Sequence, residues 1–237
     1  MAAPVVLVSG TDTGIGKTFV SCGLVRALTA AGKRVGAMKL VESGIAPDSP
    51  DSDAHALWSA ANASQTLEEV CPFSFAEPAS PNVAARAAGK SISFEAAANA
   101  LNSLPADADL NLVEGAGGLL VPINDNFTFA DFAQELGIPV LLVVGSRLGA
   151  INHASLSFEV LAARGIKTIG YVLNEYGADG KQQYSLALET NREEIFRAAS
   201  RFEIPELGCV PYAASEGDAS IFDKIAGEIL RRLGGAK

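Results

Sequence analysis

The chain has 237 residues, 49% of them hydrophobic, and carries 18 basic against 27 acidic side chains. It can bury a substantial core, and its negative charge argues against a protein that coats nucleic acid or an anionic membrane. Three cysteines without paired spacing suggest neither a zinc site nor a disulfide framework, and two histidines argue against an imidazole-rich metal site. Because no signal segment or membrane-spanning run is found, we expect a soluble, cytoplasmic protein.

Apolar, β-branched runs separated by helical patterns predict five buried strands. They are Val5 to Ser9, Arg34 to Leu40, Leu110 to Val113, Val140 to Val144 and Thr168 to Leu173. This alternation predicts an α/β fold with a mostly parallel sheet, helices on both faces, and one domain over residues 1–237. A last amphipathic helix is expected from Ser220 to Leu233. Ligands bind such sheets at the carboxyl ends of the strands, so the residues that follow each strand are the candidates for chemistry.

The first strand leads into the sequence GTDTGIGKT at residues 10–18, which has the character of a phosphate-binding loop. Backbone N–H groups of such a loop and the start of the next helix face an anion together. Five residues separate Gly10 from Gly16, one more than in the standard pattern. The helix that follows has apolar residues at helical spacing and supports a fold like that of P-loop NTPases. In this interpretation Lys17 reaches the phosphates of a nucleotide and Thr18 offers its hydroxyl to Mg²⁺.

Charged residues follow the second and third strands. Lys39 could neutralise charge that grows in phosphoryl transfer or carboxylate activation, or it could be a solvated lysine at a strand end. Glu114 ends the third strand before a glycine-rich stretch and is a candidate carboxylate for Mg²⁺. Asp53 closes a polar loop before a helix that begins near Ala54, so it is either a second metal carboxylate or the N-cap of that helix.

Other strand ends allow two interpretations each. Gly115 to Gly118 let the backbone approach a ligand or simply form a tight turn. Asn174 could pair with an adenine edge or form a turn. The helix that opens at residues 149–153 could receive a carboxylate at its N-terminus, while His153 is better explained as a structural hydrogen-bonding residue than as a base. Two prolines in Phe75 to Pro81 indicate an extended loop that walls a pocket.

Five sequence blocks in order resemble the dethiobiotin synthetase family. They are GTDTGIGKT at residues 10–18, FAEPASP at Phe75 to Pro81, VEGAGG at Val113 to Gly118, FTFAD at Phe127 to Asp131 and LGAINH at Leu148 to His153. The extra residue in the phosphate-binding loop is this family's own form. The resemblance implies an ATP-dependent ligase of biotin biosynthesis that closes a ureido ring on 7,8-diaminopelargonic acid with CO₂.

The resemblance also implies residue roles. Lys17 and Lys39 would be catalytic, and Thr18, Asp53 and Glu114 would hold Mg²⁺. The ATP-binding residues would be Gly14, Ile15, Gly16, Lys17, Thr18, Phe19, Asp53, Glu114, Gly115, Ala116, Gly117, Asn174, Glu175, Gly208, Cys209 and Val210. The residues that bind the diamine would be Thr13, Ser43, Gly118, Leu148, Gly149, Ala150 and Asn152. In this family the helix near Gly149 takes the substrate carboxylate across a dimer interface, so a homodimer is implied.

The implied reaction has three steps. One amine attacks CO₂ to give a carbamate, the carbamate oxygen takes the γ-phosphoryl group of ATP, and the second amine attacks the resulting carbamic-phosphoric anhydride and expels phosphate. The last step gains from the high effective molarity of tethered groups. Lys17, Lys39 and Mg²⁺ would stabilise the spreading negative charge.

Four positions depart from the family pattern without removing a group that the chemistry requires. Leu40 follows the lysine where relatives often have proline, and Glu42 adds a negative charge just before the diamine residue Ser43. Gly14 stands where some members carry an acid, and Glu175 replaces a common aspartate.

Two other classes remain open. A nucleotide-dependent switch of the ParA and MinD type would share the sheet, but its signature lysine is replaced here by Asp12. Its membrane-anchoring helix could correspond to the C-terminal helix, although a helix docked on the sheet is the commoner explanation. A related ligase with another substrate would have the same phosphate machinery. Beyond the matched stretch, which ends near Pro211, Glu216 is a candidate ribose contact.

Overall fold

Strands and helices alternate along most of the chain in the computed structural model, which describes residues 3–62, 64–175, 186–212 and 219–234. The strands are β1 (Val5–Gly10), β2 (Val35–Lys39), β3 (Val41–Ser43), β4 (Phe73–Phe75), β5 (Leu110–Gly118), β6 (Pro122–Asn124), β7 (Phe127–Thr128), β8 (Val140–Gly145), β9 (Thr168–Asn174) and β10 (Glu206–Val210). The helices are α1 (Lys17–Ala30), α2 (Asp53–Ala60), α3 (Leu67–Val70), α4 (Pro81–Ala87), α5 (Phe94–Ala100), α6 (Phe129–Leu136), α7 (Ala150–Ala163), α8 (Leu186–Ser200) and α9 (Ala219–Arg232).

Six strands form the central sheet in the order β10-β9-β8-β1-β5-β2, and all neighbours are parallel. Two short sheets flank it, a parallel pair β3–β4 and an antiparallel pair β6–β7. The predicted mostly parallel α/β sheet is therefore confirmed. All five predicted strands lie in the central sheet, and their carboxyl ends meet at one edge.

Helices cover both faces of the central sheet, because each strand is apolar on both sides. Side chains of α1, α2, α3 and α9 pack into the core on one face, together with Val6 and Val8. Side chains of α4 to α8 pack into the core on the other face, together with Leu7. The placement of the helices on both faces is thus confirmed. The prediction that residues 1–237 form one domain stays a prediction.

The last helix docks on the body of the protein. Phe222, Ile225 and Ile229 of α9 are buried, and a Cβ on Gly23 of α1 would lie only 2.4 Å from the ring of Phe222. The apolar face of α9 is therefore used internally, so the alternative of a membrane anchor is wrong for this helix. In the described part of the chain, no helix combines the length and the apolar character that crossing a membrane requires.

Some element boundaries differ from the prediction. The third predicted strand does not end before its glycine-rich stretch: β5 runs on through Gly118, which pairs with Gly10 of β1. The predicted run Arg34 to Leu40 is shortened to β2, and the chain then starts β3. The sequence pattern missed the extension of β5 because glycines carry no side chains that would continue an apolar run. It also missed the edge strand β10, which is only partly buried.

Candidate active site

The phosphate-binding loop joins β1 to α1 at the centre of the sheet. Gly14 and Gly16 have φ angles of 70° and 81°, in the left-handed region that favours glycine. Lys17 begins α1, and its Nζ donates a 3.1 Å hydrogen bond to the carbonyl oxygen of Asp12. Burial lowers the pKa of Lys17, although Glu114 acts in the opposite direction. An anionic group placed beside this ammonium, in addition to Glu114, would therefore stabilise its charged form.

A buried ion-pair cluster lies beside the loop. Lys39 at the end of β2 is in register with Glu114 of β5, and its Nζ donates a 2.8 Å hydrogen bond to Oε1 of that carboxylate. The same Nζ lies 2.5 Å from Oδ2 of Asp53. Burial works against the charged form of Lys39, but these two carboxylates outweigh it and raise the pKa of Lys39. The interpretation of Lys39 as a solvated lysine is wrong, because its side chain is 5% exposed.

Oxygen atoms of three residues converge next to this lysine. Oγ1 of Thr18 donates a 2.8 Å hydrogen bond to Oε1 of Glu114. The other oxygen of Glu114, Oε2, is buried and has no hydrogen-bond partner among the described residues. Burial raises the pKa of Asp53, but Lys39 and Thr18 lower it by more than burial raises it. The net shift of the pKa is therefore downward. Two carboxylates and a hydroxyl suit a hard divalent cation that also binds phosphate oxygens.

Asp53 is held in place by the start of α2. Ser52 is the N-cap residue, and its Oγ accepts a 2.9 Å hydrogen bond from the backbone N–H of His55. The interpretation of Asp53 as the N-cap is therefore wrong: its carboxylate points at Lys39. The carboxylate of Glu42 accepts the backbone N–H groups of Asp53 and Ala54, at 2.7 and 3.1 Å. Burial raises the pKa of Glu42, while these two hydrogen bonds oppose the rise.

A cavity of about 810 Å³ opens above these groups. One wall is the segment of residues 78–81, so the predicted role of this stretch as a pocket wall is confirmed. It is not an extended loop: residues 76–79 form bends, and Pro81 begins α4. Oγ of Ser43 donates a 2.7 Å hydrogen bond to the carbonyl oxygen of Ala79, which fixes this wall to β3. At Gly44, φ is 89° and a Cβ would lie 2.9 Å from Pro78, so the wall depends on this glycine.

The predicted site residues fall into four groups. Those that line the cavity are Thr13, Gly14, Gly16, Lys17, Thr18, Lys39, Ser43, Asp53, Ala116 and Gly117. Others support it from beneath or beside it, among them Glu114, Gly115, Gly118 and two buried residues of the loop and α1, Ile15 and Phe19. Ile15 packs so closely on β8 that a Cβ on Gly145 would lie 2.6 Å from its side chain.

The predicted adenine residues lie next to the loop on its other side. The side-chain Nδ2 of Asn174, at the end of β9, donates a 2.8 Å hydrogen bond to the carbonyl oxygen of Ile15. Gly208, Cys209 and Val210 belong to β10 and pair with β9, and the N–H of Glu175 donates to Val210. The structure therefore brings these residues together, but the amide nitrogen of Asn174 is used by the loop. Glu216 lies outside the described residues.

The predicted carboxylate-binding residues lie away from the cavity. Leu148, Gly149 and Asn152 line a separate surface depression at the start of α7, and Ala150 is buried beside them. Leu148 is 77% exposed. The two regions are connected by Arg147, whose guanidinium pairs with the carboxylate of Asp12 in the phosphate-binding loop.

Two contacts were not found by sequence reasoning. The capping of α2 by Glu42 joins residues 11 and 12 positions apart, and the pair Asp12–Arg147 joins residues 135 positions apart. The sequence offered one signal for the first contact, the negative charge of Glu42 between Lys39 and Ser43. Nδ1 of His153 lies 3.8 Å from Oδ2 of Asp12, which is beyond hydrogen-bond distance.

Comparison with known proteins agrees with this geometry. A family model described as an AAA domain matches residues 5–219. The ATP-dependent dethiobiotin synthetase BioD of Anaeromyxobacter sp. strain Fw109-5 is 43% identical over 204 residues, which cover 84% of this chain and 91% of the relative. The chain belongs to the dethiobiotin synthetase family. The synthetase of Aromatoleum aromaticum is 39% identical over 216 residues, covering 90% of this chain and 92% of the relative.

Solved structures share the fold of this dethiobiotin synthetase family member at low identity. The septum site-determining protein MinD of Pyrococcus horikoshii, in complex with Mg-ADP, aligns with a TM-score of 0.58 and 18% identity and covers 100% of both chains. The cell division ATPase MinD of Pyrococcus furiosus aligns with a TM-score of 0.56 and 19% identity, covering 98% of this chain and 99% of the other. These likenesses concern the fold alone.

Proposed function

We infer that this protein is an ATP-dependent dethiobiotin synthetase, a ligase that closes the ureido ring of dethiobiotin from 7,8-diaminopelargonic acid and CO₂. The observation that carries the inference is the position of Lys39. It lies between two carboxylates next to a phosphate-binding loop, and it faces a cavity large enough for a small substrate beside the nucleotide phosphates. Named relatives at 39–43% identity support the same activity.

ATP would bind with its phosphates in the loop at residues 10–18. Its terminal phosphates would replace the carbonyl of Asp12 as the partner of Lys17, whose pKa the buried site lowers. Phosphate charge would favour the ammonium form again. On the far side of the loop, Asn174, Glu175 and residues 208–210 would receive the adenine base, which their proximity to the loop supports. Adenine recognition by Asn174 would require its amide nitrogen to exchange the bond to Ile15 for one to the base.

Magnesium fits the oxygen groups beside the loop. Thr18, Asp53 and Glu114 would hold it, and the unpaired Oε2 of Glu114 is a buried acceptor that a cation would satisfy. In the described residues, no group of three or more His, Cys, Asp or Glu side chains could hold a metal ion. Phosphate oxygens of the nucleotide and water would complete the coordination of magnesium. When bound, the ion would polarise phosphate oxygens and balance their charge.

The diamine would lie between Lys39 and the wall at residues 78–81. Oγ of Ser43 already donates its proton to Ala79, so its lone pairs face incoming donors, and an amine is such a donor. Thr13 and Gly118 flank the same edge of the loop and β5. The apolar side chains Val41, Ile45 and Val121 line the cavity and suit a hydrocarbon chain.

The reaction would begin when one amine attacks CO₂, which gives a carbamate after loss of a proton. A carbamate oxygen then attacks the γ-phosphorus of ATP and ADP leaves, producing a carbamic-phosphoric anhydride. The second amine attacks the carbonyl carbon of this anhydride, phosphate leaves, and the ring closes. Lys39 and Lys17 would stabilise the negative charge on the carbamate and on the transferring phosphoryl group. Holding both amines on one molecule makes the closing step effectively unimolecular.

The substrate carboxylate would bind at the start of α7 of a second copy. Gly149 caps this helix without a side-chain contact, and the N–H of Ala150 donates to the carbonyl oxygen of Arg147 at 3.0 Å, so an anion would be held by the next two backbone N–H groups, those of Ile151 and Asn152. Leu148, Ile151 and Leu156 expose apolar surface on and beside α7, which a second copy would bury.

A charge introduced into this apolar surface should break the dimer. The double variant L148E/I151E is therefore expected to sediment as a monomer and to raise KM for the diamine, whereas V83E, at an exposed position of α4, should do neither.

Phosphate release from MgATP, measured in bicarbonate with and without 7,8-diaminopelargonic acid, tests the activity when mass spectrometry follows the product. We expect hydrolysis that depends on the diamine and one cyclised product per phosphate. Hydrolysis that is indifferent to the diamine, without a cyclised product, would overturn the proposal. Diamine-dependent hydrolysis should also disappear on chelation of magnesium.

A further inference from the structure

Glu42 is a buried carboxylate in the candidate active site that has no part in the reaction described above. Its side chain lines the cavity, yet the residue is only 5% exposed. Both of its oxygens are engaged at the start of α2: Oε1 accepts the N–H of Asp53 at 2.7 Å, and Oε2 accepts the N–H of Ala54 at 3.1 Å. Because both oxygens accept hydrogen bonds from backbone amides, this carboxylate does not serve as a base or a ligand in this arrangement.

The start of α2 is fully satisfied only with Glu42 present. A helix leaves its first N–H groups without internal partners. Ser52 accepts the N–H of His55 through its side chain and that of Ala56 through its carbonyl oxygen. The two remaining N–H groups, those of Asp53 and Ala54, are taken by Glu42. Its negative charge also faces the positive end of the helix dipole.

These contacts fix the position of Asp53, whose carboxylate faces Lys39. Asp53 is the first residue of α2, and its Oδ2 lies 2.5 Å from Nζ of Lys39. Glu42 and Lys39 belong to one short stretch of chain, since β3 follows β2 after a single residue. One stretch therefore supplies the lysine and also anchors the helix that presents the carboxylate to it.

We propose that Glu42 is a positioning residue of the phosphoryl-transfer centre, which fixes the first turn of α2 and thereby holds Asp53 against Lys39 and toward the metal. The metal part of this role rests on the proposed function. Without Glu42 the two amides lose their acceptors, the first turn of α2 loosens, and the carboxylate of Asp53 is no longer held in one place. Residues that orient metal ligands in this way commonly change metal affinity by about 10- to 100-fold.

The test measures binding of Mn²⁺ in the presence of ADP by electron paramagnetic resonance, which needs no turnover. We expect E42A to weaken Mn²⁺ binding by about tenfold and to speed hydrogen exchange at the amides of Asp53 and Ala54. E42Q keeps the side-chain shape and one acceptor oxygen, so it should fall between E42A and the wild type. It also keeps the proposal testable if E42A fails to fold.

Glu69 provides the matched control. It caps α3 by accepting the N–H of Thr66 at 2.7 Å, so E69A removes a carboxylate cap and one negative charge at another helix. We expect E69A to bind Mn²⁺ as the wild type does. Wild-type Mn²⁺ binding and amide exchange in E42A and E42Q would overturn the role of Glu42. An equal loss of Mn²⁺ affinity in E69A would also overturn it. Failure of the wild-type protein to form dethiobiotin would instead overturn the proposed function.

Discussion

Asn174 and Ile15 are joined by a 2.8 Å hydrogen bond from the side-chain amide of one to the backbone carbonyl of the other. The bond ties the end of β9 to the phosphate-binding loop. It also leaves no space at the next residue of the loop, because a Cβ on Gly16 would lie 2.2 Å from Nδ2 of Asn174. The loop thus depends on Gly16 twice, for its φ of 81° and for this approach.

G16A should therefore lower the free energy of unfolding by more than the cost of placing an alanine in a left-handed backbone conformation alone. Gly14 is the matched control, since its φ is 70° but a Cβ there would meet nothing within 4 Å. We expect G14A to lower the free energy of unfolding by about 1–2 kcal/mol and to keep much of the ATP affinity. G16A should lose more stability and most of its ATP binding. Thermal unfolding and calorimetric titration with ATP check both, and equal behaviour of the two variants would contradict the argument.

The ion pair of Lys39 and Glu114 should be costly to break from one side. Both side chains are buried, so K39M leaves a carboxylate without its main partner, and we expect a loss of about 3–5 kcal/mol in unfolding free energy. The double variant K39M/E114Q removes the unpaired charge and should recover part of that stability. Neither variant should form dethiobiotin. Urea denaturation of the two measures the coupling, and a double variant as unstable as K39M would be the opposite result.

Lys17 should destabilise the protein when no nucleotide is bound. Its pKa is lowered in the folded state, so its charged form is disfavoured there. The unfolded chain binds the proton more tightly, and stability therefore rises with pH in the window between the lowered pKa and the ordinary value of 10.5. K17M should raise the unfolding free energy at pH 7 by on the order of 1 kcal/mol while abolishing ATP use. Its advantage should shrink as pH rises through that window.

If K17M were less stable than the wild type at pH 7, the hydrogen bond to Asp12 and the attraction of Glu114 would outweigh the burial of the charge. K33M is a suitable control, because the ammonium of Lys33 pairs with Asp109 at the surface. Exposed pairs of this kind contribute about 0–1 kcal/mol.

The contact of Gly23 with Phe222 predicts a compensating pair of substitutions. G23A drives a methyl group into the ring and should cost about 1–3 kcal/mol. F222A leaves a cavity between α1 and α9 and should cost about 3–5 kcal/mol. In G23A/F222A the methyl group enters that space, so the loss should be smaller than the two single losses combined. Thermal melts of the three variants check this, and simple additivity would speak against the contact.

The sequence predicted the part of the site that lies at the carboxyl ends of the strands. Lys39 lies at the end of the second predicted strand and Glu114 follows the third, and the carboxyl ends of parallel strands meet at one edge, so their approach could be expected. The choice between Ser52 and Asp53 as N-cap could not, because both residue types cap helices and only the backbone dihedrals distinguish them. The extension of β5 through its glycines depended on pairing with β1, which no local pattern contains.

The residue roles came from the family resemblance, and geometry adds what that resemblance lacked. Residue type alone does not tell that the carboxylate of Glu42 accepts hydrogen bonds from backbone amides of α2. Nor does it tell that Asn174 holds the loop through its amide nitrogen. Both depend on contacts between elements that fold together only in the complete structure.

Val8, Glu114 and Lys39 occupy one row of the central sheet, since Glu114 is in register with both of the others. The strands that carry them are far apart along the chain, and such distant parallel pairings are slow to form. The catalytic arrangement consequently has no local precursor: a chain whose helices have formed still lacks it until β5 is inserted between β1 and β2. Recovery of activity during refolding therefore reports on that insertion.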